Sequence, residues 1–274
     1  IRDFKYPDRI VIGSNNKKIF KKMELLYEPL IKKGAKFLCT SRKGAELIKY
    51  ASNAFLATKI TFINEIANLC EAAGINVEDI SVGMGTDARI GSRFLRAGPA
   101  YGGSCFPKDT RGLVSISDKF KSNLSIVKSV IKSNQNRKFL LTKKVLKIMN
   151  NKIKNKKIAV LGVTFKANTD DMRGSSSLVL IPYLLKKGAR VNYHDPSGPK
   201  KEFHKKKNLY FESSINKACK GADLIIINTE WDEFKSIDFK KVVRKNNFKI
   251  YDMRNLYNPN VLKRRNIKYY SVGR

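Results

Sequence analysis

The spacing of apolar residues divides the chain into three sections. Short apolar runs at Pro7–Gly13 and Lys36–Thr40 predict two strands, and residues 17–31 between them carry apolar positions at helical spacing. Residues 41–150 show helical spacing throughout. From residue 158 onward, short apolar runs alternate with helical patterns. The pattern therefore predicts a short α/β section, a helical middle and a longer α/β section.

The middle section is organised around one long helix. Ser41 is a good N-cap, Gly74 is a good terminator, and the residues between them predict a helix that ends at about Ala73. Because Ala, Leu, Ile and Phe occur around the whole helix, we expect it to be buried against other helices, including those of a second subunit. Three more helices are predicted at Val77–Gly83, from Thr110 to about Lys119, and at Asn123–Asn150.

The last section alternates strands with helices, which implies a parallel sheet covered on both faces, as in a Rossmann-like domain. The predicted strands are Ile158–Gly162, Arg190–Tyr193, Leu209–Phe211, Leu224–Asn228, Lys249–Asp252 and Tyr269–Ser271, and the predicted helices are Ser175–Lys187, Ser214–Lys220 and Phe239–Val243. The sequence thus predicts an α/β protein with a remnant of an N-terminal Rossmann-like domain (1–40), a central all-helical domain (41–150) and a C-terminal Rossmann-like parallel-sheet domain (151–274).

Composition restricts the class of protein. The chain has 274 residues, 42% of them hydrophobic, and no apolar run reaches the roughly 18 residues of a membrane span. Residues 1–12 do not resemble a signal peptide. The four cysteines have neither paired nor metal-type spacing, and two histidines are too few for a histidine-rich metal site. We therefore expect a cytoplasmic protein without a metal or a membrane partner.

The net charge of +33 raises nucleic-acid binding as a hypothesis. However, the lysines are spread over the whole chain with Asn beside many of them, which favours a compositional bias, so we expect no nucleic-acid partner. Anionic substrates such as nucleotide phosphates would still be attracted. A non-catalytic protein that binds nucleotide sugars or nucleic acid stays open as an alternative.

A glycine-containing stretch at residues 98–110 holds the strongest candidate chemistry. Cys105 is followed by Pro107, which stiffens the turn predicted just past the cysteine, and then by Lys108 and Asp109. A cation favours the thiolate of a nearby cysteine, and a carboxylate can handle a proton or a water molecule. From these residues alone Cys105 is either a nucleophile or a small buried apolar residue.

The string Gly-Gly-Ser-Cys-Phe-Pro-Lys-Asp at residues 102–109 resembles the active-site signature of the UDP-glucose/GDP-mannose dehydrogenase family. The resemblance implies that Cys105 and Asp109 are catalytic. Residues 46–60 resemble the family's central helix, which implies that Lys49 and Asn53 are catalytic and reach the reacting carbon of the substrate. Without the resemblance, these polar residues would be read as one solvated side of the helix.

The resemblance extends to the other site residues. It implies that Arg89 enters the active site of a neighbouring subunit and that Lys166, in the motif Phe-Lys-x-x-Thr-Asp-Asp-x-Arg, lies near the substrate. Further substrate-binding residues are expected at Lys49, Asn53, Phe94, Leu95, Tyr101 and Gly102, and cofactor-binding residues at Lys108 and Arg173. Gly174 and Ala100 depart from the family pattern. The strand ends at 228–231 and 252–255 are either turns or functional loops.

The activity that the resemblance implies is NAD-dependent oxidation of UDP-glucose to UDP-glucuronate in two steps, through a thiohemiacetal and a thioester on Cys105. A homodimer through the central helix is also implied. GDP-mannose and UDP-N-acetylhexosamines are rival substrates, although Phe-Pro-Lys-Asp after the cysteine favours UDP-glucose. The sequence holds no Gly-x-Gly-x-x-Gly after a predicted strand. We therefore expect most of the NAD-binding domain to precede Ile1 and this chain alone to be inactive.

Overall fold

The computed structural model describes residues 2–274, and its first section contains a small parallel pair of strands. The elements are α1 (Arg2–Lys5), β1 (Arg9–Gly13), α2 (Lys17–Ile31) and β2 (Lys36–Thr40). Strand β1 pairs with β2 in parallel, with Ile10 opposite Phe37. Asn16 caps α2 by accepting a hydrogen bond from the amide of Lys18. Both predicted strands and the helix between them are confirmed, whereas α1 was not predicted.

The long central helix α3 spans Arg42–Ala73, as its end signals predicted. The Ser41 side chain accepts a hydrogen bond from the amide of Gly44. Gly74 takes the left-handed conformation with φ 70°, and its amide bonds to the carbonyl of Cys70, which closes the helix. Within residues 2–274, neither α3 nor any other helix is both long enough and apolar enough to cross a lipid bilayer.

Only one face of α3 is buried within the chain. Ala57, Ile63 and Ala67 are fully buried, whereas Phe55 and Leu69 keep 66% and 63% of their surface exposed. Within this chain α3 is buried against other helices on one face only, and burial of the other face by a second subunit stays a prediction. The apolar residues on the outer face point to solvent here, because the other elements of this chain cover only the opposite side.

The remaining central helices are α4 (Val77–Gly85), α5 (Phe106–Lys119) and α6 (Ser125–Ile148). Helix α5 begins four residues before the predicted start at Thr110, and Cys105 is its N-cap. The prediction treated Pro107 as part of a turn. Proline also fits the first turn of a helix, where its missing N–H group would have no intrahelical partner, and it occupies that position here.

The C-terminal section forms a six-stranded parallel sheet in the order β5-β4-β3-β6-β7-β8. The strands are β3 (Lys157–Leu161), β4 (Arg190–His194), β5 (Leu209–Phe211), β6 (Leu224–Ile227), β7 (Lys249–Asp252) and β8 (Lys268–Tyr270). The connecting helices are α7 (Ser177–Lys186), α8 (Ile215–Cys219), α9 (Phe239–Val243) and α10 (Pro259–Arg264), of which α10 was not predicted. This is the strand order of a doubly wound, Rossmann-like sheet. Strands β3 to β5 are added toward one edge of the sheet and strands β6 to β8 toward the other, so the order of addition reverses between β3 and β6. Ligands of such sheets bind at the carboxyl ends of the strands at that point.

Two hydrophobic cores cover the two faces of this sheet. One joins the sheet to the central helices, with Ile63 and Val145 in contact with the same core as Ile158. The other lies on the opposite face around Phe234 and Ile250. Because α3 and α6 share a core with the sheet, the central helices are held against the C-terminal section. The predicted α/β architecture is confirmed.

Candidate active site

A buried carboxylate joins α3 to α5. The side chain of Asn53 donates a hydrogen bond of 2.6 Å to Oδ2 of Asp109. Nζ of Lys49 lies 3.8 Å from the same oxygen, and Nζ of Lys108 lies 2.8 Å from Oδ1. The structure thus brings together three of the four residues expected to be catalytic, although Asn53 and Asp109 are 56 positions apart in the sequence.

The charge state of Asp109 follows from these contacts. Burial by itself raises the pKa of the carboxyl group, but the hydrogen bonds from Lys108 and Asn53 and the charge of Lys49 outweigh burial. The net effect is a pKa below the ordinary value. Asp109 is therefore an ionised carboxylate whose own side chain is inaccessible, while the two lysines beside it keep 63% of their side-chain surface exposed.

Cys105 lies one helical turn before Asp109 at the start of α5. Its carbonyl accepts the amide of Asp109 at 2.8 Å, and its thiol is exposed. The pKa of Lys108 is raised by Asp109 first and more weakly by Cys105, and the pKa of Arg173 by Asp171 first and more weakly by Cys105. The thiol thus lies near two cations and at the amino end of α5.

Buried polar side chains hold the loop that precedes Cys105. The amide of Gly98 donates to Oδ1 of Asn64 at 2.8 Å, and Nε of Arg137 donates to the carbonyl of Gly98 at 3.1 Å. Asn134 bonds to both the amide and the carbonyl of Tyr101, at 2.9 and 3.1 Å. These contacts anchor the loop to α3 and α6. The sequence pattern assigned no role to Asn134 or Arg137.

Two glycines press this loop against the C-terminal section. A Cβ atom on Gly102 would lie 2.8 Å from the carbonyl oxygen of Gly174, and one on Gly103 would lie 2.7 Å from the ring of Phe165. Gly103 has φ 82°, and its amide donates to the carbonyl of Arg173 at 2.6 Å. Glycine is required here because two backbone segments touch. The cysteine loop is therefore docked onto the segment that follows β3.

A cleft of about 290 Å³, here called the front cleft, opens between this loop and the strand ends. Four residues expected to bind substrate line it: Phe94, Tyr101, Gly102 and Lys166. Leu95 lies instead in the hydrophobic core with 2% of its surface exposed, so its side chain contributes packing.

A second cleft of about 370 Å³, here called the cationic cleft, borders the other part of the loop at Gly103 and Ser104. Lys108 and Arg173, the two residues expected to bind the cofactor, both line it. The guanidinium group of Arg173 is held by Asp171 through hydrogen bonds of 3.0 and 2.9 Å. Four of the expected substrate residues and both expected cofactor residues thus line two neighbouring clefts around one loop.

Arg89 lies apart from these groups in the chain. Its side chain is 89% exposed and forms an ion pair of 2.6 Å with Asp87. Among the contacts of residues 2–274, none joins Arg89 to the Asp109 cluster. In the same described part of the chain, no group of three or more His, Cys, Asp and Glu side chains is placed to hold a metal ion.

Two profiles of one known protein family match this chain. The central-domain profile of the UDP-glucose/GDP-mannose dehydrogenase family matches residues 43–136, and the profile of the family's UDP binding domain matches residues 159–259. The chain belongs to the UDP-glucose/GDP-mannose dehydrogenase family. The two profiles together contain every residue of the Asp109 cluster and of the front cleft.

Other members of the UDP-glucose/GDP-mannose dehydrogenase family match the whole chain. It is 46% identical to the UDP-glucose 6-dehydrogenase of Rickettsia prowazekii over 277 residues, which is all of this chain and 64% of that protein. The structure of a UDP-glucose dehydrogenase from Pyrobaculum islandicum has a TM-score of 0.85 at 31% identity, over 98% of this chain and 59% of that one. A UDP-D-ManNAc dehydrogenase from Pyrococcus horikoshii has a TM-score of 0.81 at 26% identity, over 100% and 61%. The chain spans about three-fifths of the length of these relatives.

Within this member of the dehydrogenase family, Arg254 and Glu230 also line the front cleft. Nε of Arg254 lies 2.7 Å from Oε2 of Glu230, and the guanidinium group donates to the carbonyls of Asn228 and Phe165 at 3.0 and 2.9 Å. Burial lowers the pKa of Arg254, and the charge of Glu230 opposes that shift. The sequence signal was the position of both residues just after strands β6 and β7, which left the choice between turn and function open.

Proposed function

We propose that the protein acts as a UDP-glucose 6-dehydrogenase, oxidising the primary alcohol of UDP-glucose to the carboxylate of UDP-glucuronate with NAD. The single observation that carries the proposal is the position of Cys105 one turn from a buried carboxylate that is bonded to Asn53 and flanked by Lys49. A nucleophile, a cation, an amide donor and a carboxylate at one place are the groups that such an oxidation requires.

In the first oxidation, the alcohol at C6 of the sugar passes its hydroxyl proton to a water molecule, loses a hydride from the carbon and becomes an aldehyde. The ammonium group of Lys49 and the amide of Asn53 stabilise the negative charge on the oxygen as the hydride leaves. Each of the two oxidations delivers its hydride to the nicotinamide ring of NAD, which is the chemistry that the cofactor supplies. No residue of this chain carries the hydride.

The cysteine then retains the aldehyde. The thiolate of Cys105 adds to the carbonyl carbon, which forms a C–S bond and moves an electron pair onto oxygen, and a proton completes the thiohemiacetal. Loss of the second hydride and of the hydroxyl proton leaves a thioester. Water attacks the thioester carbon, the C–S bond breaks, and the sulfur leaves as a thiolate. The protons of the attacking water pass to solvent, which leaves the carboxylate. Because the pKa of Asp109 is lowered and its side chain is inaccessible, we assign it to holding Lys49 and Asn53 in place beside the reacting carbon rather than to storing a proton.

The chain fits NAD at the cofactor's phosphate groups. Lys108 and Arg173 line the cationic cleft beside the thiol, and cations at that place suit a diphosphate. The sequence carries no Gly-x-Gly-x-x-Gly after a strand, so we assign no nicotinamide pocket to these residues. We expect residues 1–274 alone to produce no NADH from UDP-glucose and NAD, and steady NADH formation monitored by absorbance would contradict that expectation.

We further propose a homodimer through the outer face of α3. Phe55, Phe62 and Leu69 are exposed and recur at intervals of seven, so they form one apolar stripe along the helix. The family resemblance implies that Arg89 would then enter the active site of the second copy. Sedimentation velocity should show a dimer that Phe62→Glu dissociates, whereas Phe139→Glu, a change at an exposed residue of α6, should leave the dimer intact.

The covalent role of Cys105 is tested by detecting its adduct with the substrate aldehyde. Cys39 and Cys105 are exposed and the other two cysteines are buried, so a Cys39→Ser background isolates the candidate nucleophile. The ¹³C NMR spectrum of the 6-aldehyde of UDP-glucose, labelled at C6, should show a thiohemiacetal carbon with the parent protein and only the aldehyde and its hydrate with a Cys105→Ser variant that still binds UDP-glucose. An equal adduct in both proteins would remove the covalent role.

In the complete enzyme, Lys49→Ala should lower kcat by more than it raises KM, because charge on the oxygen develops only as the hydride leaves. An effect confined to KM would make Lys49 a binding residue. Turnover of UDP-glucose, GDP-mannose and UDP-N-acetylmannosamine, compared in the same enzyme, tests the sugar nucleotide. The proposal expects UDP-glucose to give the highest kcat/KM.

A further inference from the structure

The cationic cleft carries more positive charge than its two expected cofactor residues supply. Lys108, Arg111, Lys138 and Arg173 all line it, and among its described lining residues there is no carboxylate. Lys108 and Arg173 already have partners, because Asp109 and Asp171 lie 2.8 and 2.9 Å from their charged groups. The unbalanced charge in the cleft therefore belongs to the other two residues.

Arg111 and Lys138 pair with no carboxylate in the described chain, residues 2–274. Nζ of Lys138 donates only to the carbonyl of Gly174, at 2.6 Å. Burial lowers the pKa of Lys138, and the nearby charge of Arg111 lowers it further. Two like charges that face one cavity repel each other, and an anion between them would turn that repulsion into attraction.

The wall between these cations is the first turn of α5. Ser104 and Pro107 line the cleft, and no side chain caps the amino end of this 14-residue helix. The open N–H groups and the dipole at a helix N-terminus attract negative charge. The amino end of α5, the guanidinium group of Arg111 on α5 and the ammonium group of Lys138 on α6 therefore all face one cavity.

We propose that Arg111 and Lys138, with the first turn of α5, form a binding subsite for a phosphate group. The guanidinium fork of Arg111 suits two oxygens of one phosphate, and the ammonium group of Lys138 suits a third. The proposal rests on the proposed function in so far as Lys108 and Arg173 face the same cleft, and it adds two residues to them. The phosphate belongs either to the diphosphate of a dinucleotide or to a free phosphate or pyrophosphate ion.

The test is a titration of the 274-residue chain with pyrophosphate, inorganic phosphate and NAD by isothermal calorimetry, at one ionic strength set with potassium chloride. Arg111→Gln and Lys138→Gln should each weaken pyrophosphate binding about tenfold, because each removes a charge-assisted hydrogen bond. The matched control is Lys132→Gln, an equal change of charge at an exposed residue of α6 that does not line the cleft, and its affinity should stay within about twofold of the parent.

The outcomes separate the sources and the alternatives. A parallel loss of NAD and pyrophosphate binding in both cleft variants identifies the dinucleotide. A loss of pyrophosphate binding while the variants bind NAD as tightly as the parent identifies the free anion. Unchanged pyrophosphate affinity in Arg111→Gln, or an equal loss in Lys132→Gln, overturns the subsite. Arg111 is exposed, so its variant keeps the test valid even where Lys138→Gln fails to fold.

UDP-glucose binding, measured on the same variants, keeps this proposal separate from the proposed function. Lys166→Gln in the front cleft should weaken UDP-glucose and spare pyrophosphate, and Arg111→Gln should do the reverse. If UDP-glucose still binds and Arg111→Gln does not change the affinity for pyrophosphate, the subsite alone is overturned. Absent UDP-glucose binding with pyrophosphate affinity still dependent on Arg111 overturns the proposed function alone.

Discussion

The bond between Asn53 and Asp109 should be the strongest polar link between α3 and α5, and a double-mutant cycle measures it. The perturbations are Asn53→Ala, Asp109→Asn and the pair. A hydrogen bond to an ionised acceptor contributes about 1.5–3 kcal/mol, whereas ion pairs of exposed lysines contribute about 0–1 kcal/mol. Asp109→Asn removes the charge but keeps a weaker, neutral acceptor, so we expect it to lower the free energy of unfolding by about 1–2 kcal/mol.

The assay is urea denaturation followed by circular dichroism, with thermal unfolding as a second measurement. For a chain of this size a loss of about 1–2 kcal/mol corresponds to a fall in Tm of about 3–6 °C. The coupling free energy between the two positions should be about 1–2 kcal/mol. The exposed pair Lys128–Asp118, whose charged atoms lie 3.0 Å apart, is the control and should couple by less than about 1 kcal/mol.

The pH dependence of the free energy of unfolding tests whether Asp109 stabilises the fold in its ionised form. The pKa of Asp109 is lowered in the folded protein, so its stabilisation is fully present above the ordinary value of 3.8 and is lost as the pH falls through the lowered folded value. The difference in unfolding free energy between parent and Asp109→Asn should therefore be constant from about pH 5 to 7 and shrink below 3.8. A coupling no larger than that of Lys128–Asp118, or a difference that grows on acidification, refutes the reasoning.

Three further predictions concern the loop and the cysteines. Ala100 has φ 99°, a conformation that is strained for alanine. Ala100→Gly should therefore raise Tm or leave it unchanged, since relief of about 1–2 kcal/mol of strain exceeds the entropic cost of glycine. A clear fall in Tm contradicts this prediction. Gly103→Ala should destabilise the protein by more than about 2 kcal/mol because its Cβ meets the ring of Phe165 at 2.7 Å, and a neutral effect in urea denaturation would show that the loop moves freely. Burial raises the pKa of Cys219 to about 12. Iodoacetamide at about pH 8 should therefore modify Cys105 and spare Cys219 in the native protein. Early modification of Cys219 in a mass spectrum would contradict its burial.

Local signals in the sequence determined most of the elements. Ser41 and Gly74 act on backbone groups within a few residues, so the ends of α3 could be predicted from these residues and their neighbours. The alternation of short apolar runs with helical patterns likewise predicted the parallel sheet. The start of α5 was missed because proline serves both turns and first helical turns, and only the packing of the loop at residues 98–104 decides between them.

The composition of the site depended on tertiary structure. The string at residues 102–109 identified Cys105 and Asp109 as candidates, but burial of Asp109 against a residue 56 positions away requires the crossing of two helices. The repulsion between Arg111 and Lys138 arises in the same way, since α5 and α6 bring them to one cleft. Propensity and capping act over a few residues, whereas charge, burial and clefts depend on which surfaces the folded chain brings together.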